Sequence, residues 1–73
     1  MRKVSLCRVS LSGRVYHLVA VFRGEAPVAS HYCIMLGRRR LEPCNYPTID
    51  YALKVFEGII TGDVVRRLAE GAL

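Results

Sequence analysis

The chain of 73 residues contains no tryptophan, no glutamine and a single asparagine, Asn45. Scarce thermolabile amides beside nine arginines and two lysines suit a thermophile, and a GC-rich genome would produce the same bias through its arginine codons. Cys-x-x-Cys and His-x-x-x-His spacings are missing, which removes the common zinc frameworks. Walker and dinucleotide glycine loops are missing too. Arg or Gly interrupts every apolar run well short of the ~18 residues a membrane span needs. No leader peptide or internal repeat is read, so a cytoplasmic protein off the membrane is expected.

Acids are scarcest where cations are densest. Residues 1–41 hold eight cationic side chains against Glu25 alone, a net of +7, whereas residues 42–73 hold three against five acids, a net of −2. The formal charge of +5 is therefore a difference between two unlike halves. A surface built only for solubility would intersperse its signs, so this gradient points to a polyanionic partner.

At 8.2 kDa the chain holds one small domain, 1–73, with a basic sheet part at 1–41 and a helical part at 48–72. Its apolar share of 52% and mean hydropathy of +0.24 are high for so much surface per unit volume, which points to a homodimer or a subunit of a complex.

Two β-rich runs, Arg2 to Leu11 and Arg14 to Arg23, are separated by Ser12-Gly13, the signature of a tight hairpin. Strict alternation places Leu11, Val9, Cys7, Ser5 and Lys3 on one face with Arg14, Tyr16, Leu18, Ala20 and Phe22. The opposite face pairs Ser10 with Val15, Arg8 with His17, Leu6 with Val19, Val4 with Val21 and Arg2 with Arg23. Both faces are apolar at the centre and both expect cover, the second from another subunit or a ligand. Val28 to Leu36 reads as a third strand, and Arg38, Arg39 and Arg40 follow as an exposed turn or strand extension.

Thr48 reads as a helix N-cap with Asp50 in the first turn, followed by an apolar stripe through Ile49, Ala52, Leu53, Phe56, Ile59 and Ile60. Gly62-Asp63 reads as a break that starts a second helix at Val64, with one helix bent there as the alternative. The expected fold is α+β: a three-stranded antiparallel sheet followed by one or two C-terminal helices packed on one sheet face.

Arginine binds phosphate bidentately and stacks on bases, so Arg38, Arg39, Arg40, Arg8, Arg23, Arg2 and Lys3 are the candidate nucleic-acid contacts. Tyr16 and Phe22 read as core, whereas Tyr32 reads as core or as a platform for an unstacked base. A turn such as 38–40 could instead only blunt a sheet edge. His17, His31 and Cys33 could meet on one face as metal ligands, but strand histidines are more often packed or solvated, so no metal or other cofactor is expected. Cys7, Cys33 and Cys44 read as small core residues or as one disulfide plus a free thiol. With two histidines and no paired acids, an enzyme is not expected. The resulting expectation is a small non-catalytic DNA- or RNA-binding protein, the alternative being a protein-interaction or accessory subunit of a larger assembly such as a ribonucleoprotein.

The order basic hairpin, strand, Arg-rich turn and C-terminal helix is similar to the single-stranded-DNA-binding transcriptional coactivator family, with Ser12-Gly13-Arg14 and Gly37-Arg38-Arg39-Arg40 in comparable places. The acidic-aromatic end of that family's second strand and its Gly-Ile-Ser-Leu-like segment have no counterpart, so no site residue is carried over. From Leu36-Gly37-Arg38 onward the chain also resembles a WGR-type sheet-plus-helix module without its Trp.

Overall fold

The computed structural model describes residues 1–41 and 45–71. Strand β1 (Arg2–Leu11) turns through Ser12 and Gly13 into β2 (Arg14–Phe22). Both turn residues have positive φ, +48° and +82°, the conformation that matches the natural twist of the two strands. Leu11, Val9 and Cys7 pair with Arg14, Tyr16 and Leu18, as alternation predicts.

At Leu6 the ladder bulges, and the faces of the strand's first half exchange. Ser5 pairs with Val19 and Lys3 with Val21, whereas strict alternation had placed them with Ala20 and Phe22. One additional residue in β1 shifts everything before it by one position, so Arg2 and Val4 move to the side that holds Phe22 and Ala20.

Strand β3 (His31–Leu36) starts later than the apolar run suggested. Pro27 has no N–H to give a ladder, and Val28 is 73% exposed in the loop that precedes it. Gly37, at φ +62°, then reverses the chain through Gly37-Arg38, and Arg39 and Arg40 pair with Leu36 and Met35 as a short β4 (Arg39–Arg40). The sheet is thus a four-stranded antiparallel meander in the order β1-β2-β3-β4, one strand more than expected. Farther along the same edge of β3, Tyr46 and Tyr32 exchange two backbone hydrogen bonds of 2.9 Å.

Helix α1 (Ile49–Ala69) begins at Thr48, whose hydroxyl accepts the N–H of Tyr51. The Tyr51 ring meets that of Tyr46 edge-on at 5.5 Å and fastens this end to the sheet margin. The helix runs unbroken for 21 residues, so the break expected at Gly62-Asp63 does not occur. The Asp63 carboxylate accepts the Tyr16 hydroxyl at 2.8 Å, Arg66 at 2.7 Å and Arg67 at 3.0 Å. These contacts satisfy it as an interior helical residue clamped to β2, with no role as an N-cap. Arg66 first, and then Tyr16, hold its carboxyl at about 2 against the cost of burial.

The main core lies between helix and sheet, where Tyr16, Leu18, Ile34 and Tyr46 meet Ala52 and Phe56. A smaller cluster of Val19, Val21 and Cys33, with Met35 against it, occupies the other sheet face. Val19, Val21 and Cys33 are buried within the chain. Exposed apolar side chains include Val4 and Leu6 on β1, Val28 in the loop before β3, Ile49, Tyr51 and Leu53 in the first part of the helix, and Val65 and Leu68 near its end. No described helix is long and apolar enough to cross a membrane.

Candidate nucleic-acid interface

On the sheet face away from the helix, the registers align one side chain from every strand. Arg8 pairs with His17, His17 with Met35 and Met35 with Arg40. With strands ~4.8 Å apart, the row measures roughly 14 Å from Arg8 to Arg40. The two arginines are exposed, while His17 and Met35 between them are half-buried. A parallel row holds Lys3, Val21 and His31, and between the two lie Ser5, Val19 and Cys33. Local hydroxyls sit at the histidines: Ser5 Oγ is 3.5 Å from His17 Nδ1, and Ser30 Oγ is 2.8 Å from His31 Nδ1.

The electrostatics of this face follow from where the acids are. No strand contains one; among the described residues, Glu25 lies in the loop after β2, and Asp50, Glu57, Asp63 and Glu70 belong to the helix or its cap. The ion pairs of Arg66 and Arg67 are both with Asp63, and no sheet cation pairs with a described carboxylate. Arg8, Arg40 and Lys3 are exposed, and among the described residues none of them has a carboxylate partner.

Placement divides the candidates read from sequence. Arg8, Arg40 and Lys3 share the open face. Arg39, opposite Leu36, projects toward the helix side, and Arg38 occupies the turn, so the three adjacent arginines do not form one patch. Arg2 also lies on the helix side, where its guanidinium stacks 4.6 Å from the centre of the Phe22 ring and donates to the Ala26 carbonyl. Arg23 is exposed in the loop beyond β2. Tyr32, opposite Ala20, packs against the main core, so its ring is a core element and not a platform on the open face. Alternation and the hairpin turn already joined Arg8 to His17; Met35 and Arg40 needed the β3 and β4 registers.

Cys7 and Cys33 lie on opposite faces of the sheet and do not bridge each other; Cys44 is outside the described residues. His17, His31 and Cys33 do share the open face, but Cys33 is buried and, among the described residues, no three His, Cys, Asp or Glu side chains are grouped to hold a metal.

The chain matches no family model, no curated protein and no solved structure. The row places an exposed guanidinium at each end and, between them, a half-buried imidazole and thioether.

Proposed function

We propose that the chain is a small non-catalytic nucleic-acid-binding protein that lays a phosphate backbone across its open sheet face. The observation that carries this reading is the row Arg8, His17, Met35 and Arg40, which spans the four strands on a face with no carboxylate among the described residues. Arg8, Arg40 and Lys3 contact phosphates. His17, at the centre, stacks on a base in the manner of sheet-borne aromatic rings in single-strand binders. Arg38 and Arg23, exposed at the sheet's margins, add to the field that draws the polyanion in. A homodimer buries the helix end at Val65 and Leu68, which are 59% and 62% exposed.

Those same exposed residues favour the second reading, an accessory subunit whose cations meet an acidic partner chain. Fluorescence anisotropy with labelled single-stranded DNA, duplex DNA and RNA at two salt concentrations separates the two. Three phosphate contacts on a single strand give a log affinity falling with log salt at a slope of about −2. Absence of binding to all three probes at low salt would overturn the nucleic-acid reading.

A further inference from the structure

The helix packs chiefly over β2 and β3, so on its side of β1 the residues Cys7, Val9 and Leu11 are only half-buried. Strand β1 is the outer strand of the sheet, ten residues long, and no described strand pairs with its far edge. On the helix side, a groove of about 260 Å³ separates it from α1. Cys7 and Val9 form the floor, and Leu53, Phe56 and Ile60 form the helix wall. Pockets that hold cofactor-sized molecules start at ~300 Å³, so this one suits a few aliphatic side chains. An open strand edge beside an apolar groove is the arrangement in which an extended peptide adds a strand and inserts alternate side chains.

Charge decides which peptide. Strand β1 carries Arg2, Lys3 and Arg8 and no acid, so pairing with a second β1 would bring like charges together in one ribbon. Cations on an edge are a usual defence against neutral or basic strands, and an acidic strand turns that defence into attraction. The sides of the incoming strand are distinguished as well. Lys3 and Arg8 face away from the helix, whereas Glu57 stands at the groove. Acidic side chains are thus favoured on the open face and disfavoured over the groove.

We infer that the edge of β1 with its groove is a docking site for an extended protein segment that alternates apolar and acidic residues. Its apolar side chains enter between Val9 and Ile60, and its carboxylates pair with Arg8 and Lys3. The site is separate from the proposed phosphate contacts except for those two cations.

The test is fluorescence anisotropy of the full chain with labelled ten-residue peptides, in the absence of nucleic acid. One peptide alternates Val and Glu, one alternates Val and Lys, and one has the Val/Glu composition in two blocks. Saturable binding of the alternating Val/Glu peptide alone is expected, with slowed amide exchange in β1. Leu53→Glu, at a position 39% exposed and therefore compatible with folding, should weaken it roughly tenfold or more while leaving nucleic-acid binding unchanged. Arg8→Glu should transfer preference to the Val/Lys peptide, with circular dichroism confirming that both variants fold. Equal binding of the block peptide, no binding of the Val/Glu peptide, or indifference to Leu53→Glu would each overturn the proposal. So would a dimer by light scattering that Leu53→Glu dissolves, because the occupant would then be a second copy.

Discussion

Replacing Arg8 and Arg40 together by Ser removes both charged ends of the open-face row and takes the formal charge from +5 to +3. Both side chains are exposed and neither pairs with a described carboxylate, so the fold should be unaffected. A phosphate contact on a single strand contributes about 0.7 to the salt slope, so the pair contributes about 1.4. Counterion release at ~0.1 M salt then amounts to roughly fivefold in affinity per contact and roughly 25-fold for both. At ~0.2 M the deficit falls to roughly tenfold, because less is gained by releasing ions into a more concentrated solution. Anisotropy titration of a labelled single strand across that salt range reads both quantities. The control is Arg14→Ser with Arg39→Ser, which removes the same charge from the helix side, where the two residues pair with Leu11 and Leu36. If the control lowers the slope as much as the row variant does, net charge and not the row governs binding, and the geometric reasoning fails.

Three further outcomes follow from the fold. Gly58 and Gly62 lie inside the helix with open space where a Cβ would go, so Ala at either should add about 0.5–1 kcal/mol, read as a higher melting temperature. Ser12 sits at φ +48° in the hairpin turn; Asn there should stabilise the fold, and Val should destabilise it by about 1–2 kcal/mol in urea unfolding. The Asp63 carboxyl, at about 2 when folded against 3.8 ordinarily, contributes stability that is fully present above 3.8 and is lost as pH falls toward 2. Melting curves over that window should show the loss, and Tyr16→Phe should make it shallower by removing one of the hydrogen bonds that hold the charge.

The hairpin was legible because Ser12-Gly13 fixes both turn and register locally, and the N-cap at Thr48 was legible because capping needs only a hydroxyl three residues ahead of its donor. The Leu6 bulge was not. Both registers leave β-branched or aliphatic residues on each face, so the hydrophobic pattern could not distinguish them. The fourth strand was hidden for a related reason: two arginines have no apolar signature, and Arg39 and Arg40 become a strand only because Gly37 turns them back onto β3. Gly62-Asp63 misled because its capping signal is real, but Tyr16, 47 residues earlier in the chain, supplies the carboxylate with a partner that keeps the helix whole.

By itself the sequence determined the α+β class, the hairpin, the helix start and the separation of a basic sheet from a mildly acidic helical half. These depend on side-chain identity and short-range spacing. Only the tertiary structure decided which arginines share a surface. A strand residue's face depends on parity counted from its pairing partner, so one bulge and one two-residue turn placed Arg40 and Lys3 on the same face as Arg8 and sent Arg2 and Arg39 to the other side.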